Sequence, residues 1–340
     1  MKKRASLLTV KAIAALFLFF SLYACGSGSK SAAESESVAS EAPDFQISLA
    51  QWSLHRKYFG DLQARGGWQW FGKTLRENPD ALIQEGEDPM DFPALAASYG
   101  VNSIELVNTF YYGKANDMEY WKAFKQKCDE AGVSVGLIMC DALGDLGNAD
   151  DAARAAAVQN HHAWIDIAKY LGAHTIRVNA AGSGTAEEVA SNAVDGLSKL
   201  GEYGASQGIN VVVENHGGYS SDGAWLADVM KRVNMDNVGT LPDFGNFCIE
   251  NGPDGCVNEY DRYKGIEELM PYAKAVSAKA HMFDEQGNEV NSDFSRIMKI
   301  VKAAGFKGHV GIEYEGKQLS EDEGIKATKA LLEKVFAQLD

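Results

Sequence analysis

The 340 residues are 46% hydrophobic and 23% charged with 34 glycines, a composition that excludes disordered, collagenous and small disulfide-stapled classes and supplies a large core. A net charge of -15 at pH 7 repels phosphate backbones and uniformly anionic membrane surfaces, so no nucleic-acid partner is expected. Length allows two domains of about 150 residues or one α/β barrel of roughly 250 or more, and the pattern along the chain decides.

Residues 1–24 read as a signal peptide. Lys2, Lys3, Arg4 and Lys11 are their only charged side chains, the apolar run 12–22 is too short for a membrane span, and Leu22-Tyr23-Ala24-Cys25 follows at once. This tetrapeptide resembles a bacterial lipobox. The resemblance implies cleavage before Cys25, lipidation of that cysteine and a lipid anchor holding the protein to a membrane outside the cytoplasm, in the periplasm or cell envelope; the alternative is a plain secretory signal with an incidental cysteine. Residues 25–44 are small and polar with no apolar period, a flexible tether, which leaves 45–340 as the folded domain. Export permits disulfides, and Cys248 and Cys256, in one loop, either pair or remain thiols.

From Phe45 onward eight β-rich runs, 46–52, 102–107, 134–140, 175–179, 210–214, 238–243, 275–281 and 309–313, alternate with helix-like stretches, several of which stop at a glycine. Eight β-then-α units predict a single (β/α)₈ TIM barrel. No Gly-x-Gly-x-x-Gly follows the first strand, which argues against a dinucleotide fold. The segment 53–89 exceeds an ordinary βα loop and holds Tyr58, Phe59, Trp68, Trp70 and Phe71, so it reads either as a carbohydrate-covering lid or as extra helices packed on the barrel.

Chemistry in such barrels sits at the carboxyl ends of the strands. The last four strands end in Glu214, Asp243, His281 and Glu313, one polar group each. Residues alternate along a strand, so the four side chains can converge at the mouth, and three carboxylates that close repel unless something positive lies among them. One divalent ion, Mn²⁺, Mg²⁺, Co²⁺ or Zn²⁺, meets that need. Glu315 shares the facing of Glu313; Glu313 is preferred because it ends the apolar run.

The order Glu214, Asp243, His281, Glu313, with Ser48-Leu49-Ala50-Gln51-Trp52 at the start, is similar to the xylose isomerase-like TIM barrels known as sugar phosphate isomerases/epimerases, which include ketose 3-epimerases, over about residues 46–335. The resemblance implies one metal held by those four residues, a sugar chelating it, and Glu214 and Glu313 as the acid and base flanking the reacting carbon. Many relatives carry His-x-Lys on strand seven, and a gapless match puts Ser277 in the histidine slot; His281, four residues on with the same facing, is expected to be the ligand instead.

The expected activity is therefore a metal-dependent isomerase or epimerase acting through an enediolate on a free or keto sugar. Loss of a β-substituent from the same intermediate would make a lyase or hydratase on 3-keto-glycosides, and a noncatalytic sugar-binding lipoprotein is the distant alternative. Substrate contacts are assigned to His216, Lys279, Arg177, Glu105 and Trp52. Phosphorylated sugars are not expected, because the loops after strands seven and eight are acidic. The pattern carries no signal for oligomeric state.

Overall fold

The computed structural model describes residues 44–253 and 255–339. The signal peptide, Cys25 and the tether up to residue 43 lie outside the described residues. Eight parallel strands form the sheet: β1 (Phe45–Ala50), β2 (Ser103–Val107), β3 (Ser134–Met139), β4 (Thr175–Val178), β5 (Asn210–Glu214), β6 (Val238–Leu241), then, after a hairpin of β7 (Cys248–Gly252) and β8 (Gly255–Glu259), β9 (Val276–Ala280) and β10 (Gly308–Tyr314). Their order is β6-β5-β4-β3-β2-β1-β10-β9. Parallel bridges Thr240–Ala273 and Asp243–Ser277 join the two ends and close the (β/α)₈ barrel. Pro242 has no N–H to give to this seam, which is held by Ser277 N donating to Pro242 O (3.0 Å) and Phe244 N donating to Ser277 O (3.0 Å).

The helices are α1 (His55–Phe59), α2 (Gly67–Glu77), α3 (Phe92–Ser98), α4 (Met118–Ala131), α5 (Asp151–Leu171), α6 (Ala186–Gln207), α7 (Gly223–Val233), α8 (Arg262–Leu269), α9 (Phe294–Ala303) and α10 (Glu321–Phe336). Their starts are set by local chemistry. Asp150, Asp222 and Asp293 accept a backbone N–H from the first turns of α5, α7 and α9, and Thr185 with Glu188, and Ser320 with Glu323, form reciprocal caps on α6 and α10.

Alternation along the strands divides the interior. Leu49, Ile104, Leu106, Ile176, Val178, Ala278 and Ile312 are fully buried toward the helix layer, while the residues between them, Ser48, Glu105, Arg177, Ser277, Lys279 and Glu313, are polar, buried and turned into the barrel. The apolar set supplies the core. The polar set supplies the site, and the eight expected strands are all present with shifted ends: 51–54 is a 3₁₀ turn, β6 stops at Leu241, two residues short of Asp243, and β3, β4 and β9 each stop one residue early, at Met139, Val178 and Ala280. Cys248 and Cys256 are disulfide-bonded across the β7–β8 hairpin.

Gly311 lies beneath Glu313 on β10, and a Cβ there would stand 2.6 Å from Glu105 Oε1. We expect Gly311→Ala to destabilise the barrel by about 1–3 kcal/mol through overpacking; a thermal melt that leaves the midpoint unchanged would show that Glu105 can move aside.

Candidate active site

Residues on or just beyond four strands build the floor of the mouth. Glu214 ends β5, Asp243 follows β6 by two residues, Ser277 lies in β9 and Glu313 in β10. One carboxylate oxygen each from Glu214, Asp243 and Glu313 comes within 4.8 Å of the others, and all three side chains are buried. Ser277 Oγ lies 2.7 Å from Asp243 Oδ2 and 2.9 Å from Glu313 Oε2. A hydroxyl has one proton, so it satisfies one of these acceptors at a time.

The remaining bonds orient the carboxylates and leave specific oxygens free. Asp243 Oδ1 accepts from Gly245 N and Asn246 N, both at 2.8 Å, which leaves Oδ2 facing Ser277. Asn246 Nδ2 donates to Glu214 Oε1 (2.8 Å). Arg177 Nε stands 2.8 Å from Glu214 Oε2, yet the angle makes no hydrogen bond, so Oε2 is a buried acceptor with capacity unused. Arg177 spends its bonds on Asp141, with Nη1 donating to Oδ1 at 2.6 Å. Lys279 Nζ lies 3.1 Å from Glu315 Oε1, 3.6 Å from Glu313 Oε1 and 3.3 Å from Asn246 Oδ1.

Five carboxylates (Glu214, Asp243, Glu313, Glu315 and Asp141) thus face two cations, and the imbalance shows in their acidity. Burial pushes Glu214 up to about 7, against the pull of Arg177, and pushes Asp243 up to about 7, against Lys279. Burial also opposes ionisation of Glu315 and Asp141, but Lys279 and Arg177 respectively overcome it and hold each down at about 2. The outer pair is ionic and structural. The inner carboxylates are short of positive charge.

Above them opens a cavity of about 340 Å³ lined by Trp52, Trp68, Thr109, Arg177, His216 and Asn246, with Lys279, Glu313 and Glu315 at its base. Burial, then Arg177, lowers the pKa of His216, which therefore offers a neutral ring to a ligand. Glu313, His216, Lys279, Arg177 and Trp52 line this cavity, and Glu214 and Asp243 lie beside Glu313 in the carboxylate cluster.

Two expected residues stand elsewhere. His281 is not in the carboxylate cluster: Ser277 is the bridge partner of Asp243, and four further residues carry the chain about 13 Å up the strand direction. There the backbone N–H of His281 donates to Glu289 (3.2 Å) in the loop beyond β9. Glu105 is a layer too low to reach a sugar hydroxyl. It accepts from Ser48 Oγ (2.6 Å), and it lines a separate cavity of about 110 Å³ with Gly308 and His309, at the amino end of β10. Burial raises its pKa to about 7. Ser277, Asn246 and Trp68 are the residues that the expectation passed over. The gapless match pointed at Ser277; Asn246 had only its spacing from Asp243 as a signal, and Trp68 lay undistinguished among five aromatics.

A family model described as xylose isomerase-like TIM barrel matches residues 93–335. No curated protein matches the sequence. Among solved structures the chain is similar to a xylose isomerase-like TIM barrel protein from Mycobacterium smegmatis in complex with magnesium, at 15% identity and TM-score 0.61, covering 86% of this chain and 97% of that one. It is similar to D-psicose 3-epimerase in the presence of D-fructose, at 14% identity and TM-score 0.59, covering 74% and 94%. It is also similar to 3-keto-D-glucoside 4-epimerase from E. coli, at 12% identity and TM-score 0.58, covering 74% and 97%. At these identities the likeness is one of fold, and with the family match it agrees with the barrel: the chain belongs to the xylose isomerase-like TIM barrel family.

Proposed function

We propose that the protein is a divalent-metal-dependent sugar isomerase or epimerase that moves a proton on a carbon beside a carbonyl of a free or keto sugar. The observation that carries this reading is the buried triad Glu214, Asp243 and Glu313, with Glu214 Oε2 unused and Glu313 reaching the base of a cavity of about 340 Å³. Solved neighbours of the same fold include two sugar 3- and 4-epimerases and one magnesium complex, which supports it.

The residues fit a divalent ion: three carboxylates in reach of one point, an unused Glu214 Oε2 and a deficit of positive charge. Glu214, Asp243 and Glu313 would hold it, with the Ser277 hydroxyl beside them, and this all-oxygen set suits Mg²⁺ or Mn²⁺. When bound, the ion supplies Lewis-acid stabilisation of developing charge on the sugar's carbonyl oxygen. Proton movement falls to the chain. Glu214 is aimed by Asn246 and Arg177 and Glu313 by Lys279, so one carboxylate can take the proton from carbon and the other can return it. Return to the opposite face inverts the centre; return to the neighbouring carbon interconverts aldose and ketose. His216 and Thr109 present neutral polar groups to the sugar hydroxyls, and Trp52 presents an apolar face to its C–H surface.

Export and a Cys25 lipid anchor form part of the proposal, supported by the lipobox-like tetrapeptide and by the disulfide in the β7–β8 hairpin, since such bonds persist in oxidising compartments.

Three outcomes are expected. With D-fructose, D-psicose and 3-keto-glucosides in deuterated water, NMR should show solvent deuterium entering one carbon, and Glu214→Gln should slow that exchange by about 10²–10⁴-fold; a leaving group in place of exchange would make the protein a lyase. Because Glu214 and Asp243 have raised pKa values in the fold, the metal-free protein should lose stability as pH rises from about 4 to 7, where the unfolded chain has already released its protons. An added divalent ion replaces those protons, so Mg²⁺ or Mn²⁺ should raise the melting temperature more at pH 8 than at pH 6; equal shifts at both would place the ion elsewhere. Finally, Cys25→Ser should move the protein from the membrane fraction to the soluble one, and retention in the membrane would overturn the anchor.

A further inference from the structure

A second cleft of about 860 Å³ adjoins the reaction cavity, and the two share Trp52, Trp68 and Glu315 as walls. The inner cavity of about 340 Å³ lies at the small end of the roughly 300–1,000 Å³ common for ligand sites, enough for one sugar ring. A monosaccharide seated there leaves the outer cleft unused. Between the two stands Trp68, 60% exposed and the most exposed aromatic among the described residues. Its ring stacks near Trp52, with centroids 6.0 Å apart and planes 18° from parallel.

The shelf is fixed rather than loose. Gly66 (φ +110°) and Gly67 (φ +68°) make the turn that opens α2 and sets Trp68 at the rim. Arg65 ties that turn to the body by donating to the carbonyls of Phe59 (2.8 Å), Leu82 (2.9 Å) and Ala81 (3.0 Å), and its guanidinium covers the Trp70 ring at 4.1 Å. Trp68 meets Phe71 edge-on at 5.5 Å, which orients the indole. An aromatic surface that is rigid before binding loses little entropy when a ligand covers it.

Around the shelf the outer cleft carries a polar border, with Arg56, Gln63, Lys317 and Ser320 offering donors and acceptors. An aromatic face bordered by hydrogen-bonding groups matches the two surfaces of a pyranose, C–H on the face and hydroxyls at the edge. A purely apolar aglycone would leave the polar border unpaired, and an anionic one would meet three carboxylates, Asp61, Glu315 and Glu321, against two cations, Arg56 and Lys317. We infer that the site takes a glycoside of at least two sugar rings, the reacting ring over the carboxylate triad and the second on the Trp52–Trp68 shelf. This substrate class rests on the isomerase reading for its reacting ring.

The test is isothermal titration of the full chain, in the presence of Mg²⁺, with D-glucose and with cellobiose, maltose, sucrose and trehalose as probes. At least one disaccharide should bind about tenfold more tightly than D-glucose, and Trp68→Ala should erase that ratio while Trp68→Phe keeps most of it. Because Trp68 is largely exposed, circular dichroism should show both variants folded. The inference is overturned if no disaccharide exceeds D-glucose, or if Trp68→Ala leaves the ratio unchanged. Deuterium exchange by the wild type separates the two readings: a disaccharide preference without exchange would sink the isomerase and keep the shelf, whereas exchange without that preference would sink the shelf alone.

Discussion

The barrel buries more negative charge than its own cations balance, and much of the mouth is arranged around that deficit. A carboxylate brought into a low-dielectric interior must be paired, protonated or bound to a cation. Arg177 and Lys279 are committed outward, to Asp141 and Glu315, as well as inward, to Glu214 and Glu313. The outer carboxylates win the pairing and stay strongly acidic. Glu214 and Asp243 are left needing protons or a cation, and that need makes the floor a place where proton transfer near neutrality is possible.

Barrel closure decides which side chains share this floor. Between β6 and β9 the ladder is reduced to two bridges, because Pro242 interrupts it, and one of the bridges is Asp243 to Ser277. Bridge partners are neighbours by construction, so Ser277 must sit beside Asp243 whatever its residue type. Closure by a regular ladder would have kept Asp243 in a strand; the break instead lets residues 243–246 turn, so that the backbone of Gly245 and Asn246 holds the Asp243 carboxylate and the Asn246 amide holds Glu214.

Much of this was legible in the chain. Short β-rich runs between helix-like stretches marked all eight barrel strands, and Glu214, Asp243 and Glu313, which cluster in the fold, were singled out because each ends an apolar run. His281 misled for a physical reason: alternation preserves the facing of every second residue but says nothing of height, and height is set by register with the neighbouring strand. Glu105 misled the same way, since it faces inward but from the middle of β2. Trp68 was invisible in a different sense. Composition marks the segment 53–89 as aromatic, yet Tyr58, Phe59 and Phe71 became core and only Trp68 stayed at the rim, a partition made by the Gly66-Gly67 turn and the Arg65 bonds.

Serine in place of an imidazole changes what the floor can hold. A histidine would contribute a neutral nitrogen donor of borderline softness, favouring ions such as Zn²⁺. Ser277 adds only an oxygen, and its single proton is contested by Asp243 and Glu313 at 2.7 and 2.9 Å. On the proposed reading, the all-oxygen set of Glu214, Asp243, Glu313 and Ser277 would suit a hard cation such as Mg²⁺ or Mn²⁺. On the same reading the floor serves chemistry at one ring, while the choice among sugars passes to groups above it. Those groups, Trp68 foremost, come from the insertion between β1 and β2 rather than from the strands, so substrate preference can vary without disturbing the charge balance on which the barrel's interior depends.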